Sequence, residues 1–212
     1  MCSHGDGGGG APCSGSVVNF DYGGAVKIYN MNAFVDHEKS TVLNERVEGS
    51  GIKVFKLWGK HTDRTDYVES DVDEELLFNI TFTGHVKLSG ITLMGDMDES
   101  YPSRVLIYKN FQNMSFSEVS TSKHVQEMAL KQDDSATIDY PLNVTQFADV
   151  THLTLYFPQN FGGERTRLYY IGIRGEFQQS FREKIVIANY EIRPVPDDHK
   201  AEIPDPVHHH IC

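Results

Sequence analysis

Short apolar runs with a period of two fill residues 76–192, and this feature limits what the chain can fold into more than any other. A period of two sends alternate side chains to opposite faces of an extended chain, whereas a helix needs a period near 3.6. Phe78, Ile80 and Phe82 fall on one face of a strand that begins at Leu76. Thr83-Gly84 then predicts a turn, after which Val86 and Leu88 share a face and Ile91 and Leu93 share the next. The phase slips at Ser89-Gly90, which predicts a bulge, since glycine tolerates the dihedrals that a bulge requires. Further strands are predicted over 105–108, 138–140, 150–157, 168–177 and 185–192. In the 150–157 strand, Leu153 and Leu155 point inward and Thr154 and Tyr156 outward, while Gly172 and Gly175 mark tight packing or bends. Helical spacing is confined to one or two turns within 32–43 and to 125–130, which fits a helix or a strand. About eight short strands with almost no helix predict an all-β chain, an antiparallel β-sandwich and most simply a jelly roll. A βαβ architecture would need helical patterns of about 10–15 residues between strands, and none is present.

The aromatics (12 Phe, 10 Tyr, 1 Trp) lie almost entirely between residues 25 and 193, so that span is predicted to be the folded domain. Residues 1–24 are rich in glycine and serine, and residues 194–212 hold four of the eight prolines; both are expected to be disordered tails. The cysteines are Cys2, Cys13 and Cys212, so no disulfide framework or C-x-x-C pair holds the core, which must be stable by burial alone. Nineteen basic residues against thirty acidic ones give a net charge of −11. That charge argues against nucleic acid and against anionic membranes as partners. No apolar run reaches the ~20 residues of a membrane span, and the first residues lack the basic and apolar regions of a signal peptide. The expectation is a protein of the cytoplasm, or of the nucleus as well. There the sequons at Asn79, Asn113 and Asn143 carry no glycan.

Catalytic signatures are missing. There is no G-x-S-x-G elbow, no phosphate-binding glycine loop and no H-E-x-x-H, and His37, His61, His85, His124 and His152 are scattered. The expectation is a chain that is not an enzyme and needs no cofactor. The densest cluster is acidic, Glu69-Ser70-Asp71-Val72-Asp73-Glu74-Glu75, with a second acidic loop at Asp96, Asp98 and Glu99. Such a cluster fits a solvated edge leading into a strand, or a short turn capped by Ser70 with Asp73. It also offers Glu69, Asp71, Asp73, Glu74 and Glu75 to a basic partner.

The segment Val68-Glu69-Ser70-Asp71-Val72-Asp73-Glu74-Glu75-Leu76-Leu77-Phe78-Asn79-Ile80 resembles the signature of the PITH domain, the C-terminal module of proteasome-interacting thioredoxin-like proteins. Other blocks match in family order: Leu43-Asn44-Glu45 before Gly49-Ser50-Gly51, Phe82-Thr83-Gly84, Tyr108-Lys109-Asn110, Met114-Ser115-Phe116, and Tyr170-Ile171-Gly172-Ile173-Arg174-Gly175-Glu176. The similarity spans roughly 25–196, and the Gly- and His-bearing N-terminal arm is similar to that of stand-alone members. The resemblance implies a galactose-binding-like jelly roll without a catalytic centre. It also implies a protein-interaction role as an adaptor or regulator at the proteasome or its regulatory particle, with indirect effects on cell differentiation or gene expression. With no thioredoxin half, no redox activity is implied. Thr81 stands where relatives commonly carry proline, and Ala188 where they often carry cysteine.

Two further expectations complete the list. A ligand-binding jelly roll, carbohydrate-like in its target, would use aromatics and planar donors at one end, for which Trp58, Arg64, Tyr67 and Arg174 are the candidates. The C-terminal His208, His209, His210 and Cys212 have zinc-ligand chemistry but adjacent positions, so they suit donation of one ligand to the open position of a partner's zinc. The zinc-dependent deubiquitinase of the proteasome regulatory particle is the partner that the family resemblance suggests.

Overall fold

The computed structural model describes residues 30–180. The two expected tails, the strand expected over 185–192, and His208, His209, His210 and Cys212 lie outside the described residues.

Nine strands frame the described residues: β1 (Thr41–Leu43), β2 (Val68–Glu69), β3 (Leu76–Met94), β4 (Arg104–Lys109), β5 (Gln126–Ala129), β6 (Tyr140–Pro141), β7 (Val150–Phe157), β8 (Arg167–Leu168) and β9 (Tyr170–Ser180). One short helix, α1 (Phe116–Thr121), interrupts them, and 3-10 turns lie at Met31–Phe34, Ile52–Val54 and Trp58–Lys60. Every strand pairing is antiparallel, in the order β1-β3-β7-β4-β5, with β6 and β9 also on β3 and a separate β2–β8 ribbon. The expected all-β antiparallel sandwich is what forms.

The arrangement turns on β3, which runs for 19 residues. Its first part pairs with β1 and β7; its second part pairs with β9 and β6. It therefore belongs to both layers, and the main core lies between them. Phe78, Ile80, Phe82, Ile91, Leu93, Val105, Ile107, Leu153, Leu155, Phe157, Ile171 and Ile173 are all buried there.

The turn expected at Thr83-Gly84 does not form. The strand continues through it, and the register on β7 shifts between Thr81 and Val86 while β9 takes over from Gly84 onward. The Thr-Gly pair thus makes an irregularity that passes β3 from one partner to the next. The slip at Ser89-Gly90 is the expected bulge, seen as a register shift between Leu88 and Gly90. Gly175 faces it, and a Cβ there would lie 2.2 Å from the Lys87 carbonyl oxygen, so only glycine lets the backbones approach.

A second departure concerns the outward faces of β3 and β7. Leu77, Tyr108, Met114 and Val119 form their own cluster, covered by α1 and the loop before it. Thr154, expected outward to solvent, is buried, and its hydroxyl donates to Asn79 Oδ1 at 3.1 Å. α1 was not foreseen. Its signal is the Ser115-x-x-Glu118 box, in which the Ser115 N–H donates to Glu118 Oε2 at 2.8 Å. The 32–43 segment holds a 3-10 turn and β1 rather than an α-helix, and 125–130 resolves as strand β5.

Candidate functional site

The β2–β8 ribbon builds the most elaborate polar site. Val68 and Leu168 are opposite each other and fully buried, which anchors the ribbon to the core. The next pair in register, Glu69 and Arg167, turns the other way, because successive strand residues alternate faces. Arg167 Nη2 donates to Glu69 Oε1 at 2.9 Å, and Arg46 Nη1 donates to Glu69 Oε2 at 3.0 Å. Arg167 Nη1 also lies 3.7 Å from Asp96 Oδ2, and Arg64 Nη1 is 3.0 Å from Asp96 Oδ1. Charges therefore alternate along the chain Arg46, Glu69, Arg167, Asp96, Arg64.

Two tyrosines are woven into this row. The Tyr169 hydroxyl donates to Asp96 Oδ2 at 2.8 Å, and the Arg64 guanidinium lies 5.1 Å from the Tyr169 ring centre. Arg167 lies 5.5 Å from the Tyr67 ring centre, and the two rings are 5.9 Å apart. Burial pushes the Glu69 carboxyl up, but the hydrogen bonds from Arg167 and Arg46, with their charges, outweigh it and hold the group below its ordinary 4.5. Burial, then the bond to Asp96, pushes the Tyr169 hydroxyl up. The hydrogen bond to Glu69 raises the Arg167 guanidinium further. Glu69 stays ionised and Arg167 protonated across the neutral range, while the Tyr169 hydroxyl stays neutral, so the Glu69–Arg167 pair acts as a fixed electrostatic frame rather than a proton-transfer device.

The acidic segment next to it is presented by asparagine. Asn44, at φ 65°, accepts from the Val72 N–H at 3.1 Å and donates to Asp73 Oδ1 and the Glu75 carbonyl, both at 2.7 Å. On the other side, Thr166 Oγ1 donates to the Glu74 carbonyl at 2.6 Å, and Ser70 Oγ accepts from the Thr166 N–H at 2.9 Å. Ser70 is buried with Thr166, and it is Asp73 that accepts from the Glu75 N–H, at 3.1 Å. Asp71, Val72 and Asp73 are exposed, Val72 at 85%, and Glu74 and Glu75 are half-buried. Glu69 is set apart from these four by its two arginine partners.

The ligand candidates divide. Arg64 and Tyr67 enter the charged row. Trp58 stacks on His61, with ring centres 4.0 Å apart, and meets Tyr170 edge-on. Arg174 is engaged four residues farther along β9, with Asp139 at 3.2 Å and Ser89 Oγ at 3.0 Å. Sequence reasoning missed Arg46, Arg167 and Tyr169 and placed Asp96 only in an acidic loop, because their roles arise only when distant segments meet. Among the described residues, no group of His, Cys, Asp and Glu side chains is arranged to hold a metal ion.

Comparison with known proteins decides the family. The PITH domain profile matches residues 25–194. The chain belongs to the PITH domain family. A PITH domain-containing protein of Caenorhabditis elegans is 47% identical over 207 residues, covering 98% of each chain. PITH domain-containing protein 1 of Danio rerio is 46% identical over 82% of each chain, and that of Homo sapiens is 43% identical over 86% of each. Among solved structures, a family 32 carbohydrate-binding module from Clostridium perfringens NanJ in complex with galactose matches 68% of this PITH chain and 95% of that chain, with 10% identity and a TM-score of 0.45. CBM32-3 from a family 31 glycoside hydrolase of the same organism matches 69% and 97%, with 11% identity and a TM-score of 0.46. The PITH blocks Leu43-Asn44-Glu45 and Gly49-Ser50-Gly51 also acquire a physical meaning. Asn44 holds the acidic loop, and the Glu45 carboxylate accepts from the N–H groups of Gly49 and Gly51, both at 2.6 Å.

Proposed function

We propose that this PITH protein is a non-catalytic interaction module that docks on the proteasome or its regulatory particle through the loop end carrying residues 71–75. The supporting observation is the way that loop is held. Asn44 and Thr166 fix its backbone from both sides, while Asp71, Val72 and Asp73 remain exposed. An apolar side chain between two carboxylates on a fixed loop suits a partner surface with an apolar pocket edged by lysine or arginine, and little ordering entropy opposes such docking. The proteasome as the partner follows from the name-giving branch of the family. An adaptor of this kind would act in the cytoplasm and the nucleus.

The test is quantitative affinity purification from cell lysate with the tagged full-length chain. Proteasome subunits should be enriched over an unrelated β-sandwich control. Changing Asp71 and Asp73 to Asn and Glu74 and Glu75 to Gln should reduce that enrichment and its salt dependence while the melting temperature changes little. Absence of proteasome enrichment would sink the proposal.

A further inference from the structure

The face beside the charged row carries a trough of the opposite character to the acidic loop. It consists of two hollows of 480 and 410 Å3 that share Lys53 and Asp66 in their linings. Of the eight large apolar side chains exposed among the described residues, three lie on its walls: Val47 at 65%, Leu57 at 59% and Tyr67 at 44%. Exposed apolar residues that converge on one concavity are a recognition signal, whereas scattered ones are not.

The charges at the trough differ from those of the rest of the molecule. The two linings hold Arg46, Lys53, Lys56 and Lys60 against Asp63, Asp66 and Glu69, a small positive excess in a chain whose net charge is −11. Lys53 and Lys60 are exposed, and neither forms an ion pair among the described residues. Arg46 uses Nη1 on Glu69 while its side chain stays half exposed, and that carboxylate is already shared with Arg167. Asp63 and Asp66, which also line the trough, form no ion pair with an arginine among the described residues.

The walls are held in place before any ligand arrives. The Glu45 carboxylate closes the 49–51 loop on one side. On the other, Lys56 Nζ donates to the carbonyls of Asp63 at 2.6 Å and Asp66 at 2.9 Å. A preformed site loses less entropy on binding than one that must fold around its ligand.

We infer that this trough is a docking site for an extended acidic peptide segment, with carboxylates meeting Arg46, Lys53 and Lys60 and large apolar side chains resting on Val47, Leu57 and Tyr67. The complementarity of charge chooses this occupant. Nucleic acid requires a row of cations long enough to follow a phosphate backbone, and the surrounding acidic surface repels it. A sugar requires an open aromatic face, and Arg167 and Tyr169 lie against the Tyr67 ring. The site is separate from residues 71–75 and stands or falls independently of proteasome docking.

Fluorescence anisotropy with the full-length protein tests the inference. The probe is a labelled peptide of glutamates surrounding one leucine and one phenylalanine. Two control peptides replace the glutamates by lysine, or the two apolar residues by glycine. The acidic apolar peptide should bind saturably, weaken as salt rises, and exceed both controls. Lys53→Glu with Lys60→Glu should weaken it by about tenfold or more, equivalent to ~1.4 kcal/mol. Val47→Asp with Leu57→Asp should do the same, and neither pair should shift the melting temperature, because all four side chains are exposed. Asp71→Asn with Asp73→Asn should leave the affinity unchanged. No saturation up to about 1 mM peptide, equal binding of the lysine control, indifference to the Lys53 and Lys60 changes, or displacement by single-stranded RNA at equal affinity would each overturn the assignment.

Discussion

Asn32, Asn44, Asn79, Asn110 and Asn160 use their side-chain amides where another protein would place a neighbouring strand. An amide carries a donor and an acceptor in the spacing of a peptide group, so one side chain can complete a backbone edge. Asn32 does so on β9: it donates to the Ile171 carbonyl at 2.8 Å, accepts from the Ile173 N–H at 3.0 Å, and donates to the Lys56 carbonyl at 2.8 Å. Asn79 does so for the loop before α1, exchanging bonds with the Met114 N–H at 3.0 Å and carbonyl at 2.9 Å. This reciprocal contact also buries the nitrogen to which a glycan would attach. Asn32→Ala should destabilise the protein by about 2–4 kcal/mol, since each buried backbone group left unpaired costs ~1–3 kcal/mol. Asn32→Asp should be no better, because a carboxylate cannot donate to the two carbonyls. Urea unfolding measures both, and a loss below about 0.5 kcal/mol for Asn32→Ala would show that the β9 edge does not depend on this amide.

At the level of elements, β3 sets the terms. Phe78 is fully buried and meets Phe55 and Phe157 edge to face, at 6.0 and 5.7 Å between ring centres. Phe78→Ala should therefore cost about 3–5 kcal/mol and reduce soluble yield, and unfolding in urea gives the value directly. Thr81 offers a contrast in the same strand. Its N–H donates to Ser40 Oγ at 2.9 Å instead of to a neighbouring strand, next to the irregularity that follows. Thr81→Pro should thus cost only about 1–2 kcal/mol, the loss of this bond and of the longer one from the Thr81 hydroxyl to the Lys39 carbonyl at 3.3 Å, whereas Leu155→Pro in the middle of β7 should cost ~3 kcal/mol or more. Equal losses at the two positions would refute that view of the irregularity.

These same elements show what was legible in advance. The positions of the long strands β3, β4, β7 and β9 were, because one apolar face was enough to set the period, whereas the short β1 and β2 were not. The continuity of β3 through Thr83-Gly84 was not, because a glycine after a threonine reads the same in a turn and in a bulge. The burial of Thr154 and Asn79 was not legible either, because it depends on α1 folding over them from a distant segment. The charged row was legible only in pieces: Glu69 appeared as part of an acidic cluster, and Arg64 and Tyr67 as ligand candidates. Arg167 reaches Glu69 from 98 residues away, and no local spacing announces such a pair.

For the whole molecule, pH tests the row. The Glu69 carboxyl sits below 4.5 in the folded protein, so it holds its proton less tightly there than in the unfolded chain. Its contribution to stability is present above about pH 4.5 and is lost as pH falls through the folded value. Glu69→Gln should be less stable than the native protein near neutrality, and thermal melting should show the gap closing as the pH is lowered toward about 3. A gap that is constant over this range would mean that the arginines are held by geometry alone.

The double membership of β3 also has a consequence in time. Apart from β1 and β2, every strand among the described residues follows β3 in the sequence, and its long partners β7 and β9 come late, with only the short β8 between them. During synthesis the ribosome therefore releases nineteen mostly apolar residues well before either ladder that will cover them exists. Non-local pairing of this kind is slow, and an unpaired apolar strand is prone to aggregate while it waits. A nascent chain stalled before residue 150 should be captured by general chaperones and should sediment when they are withheld. One stalled far enough beyond residue 180 for the whole described span to clear the exit tunnel should become resistant to protease in a single step.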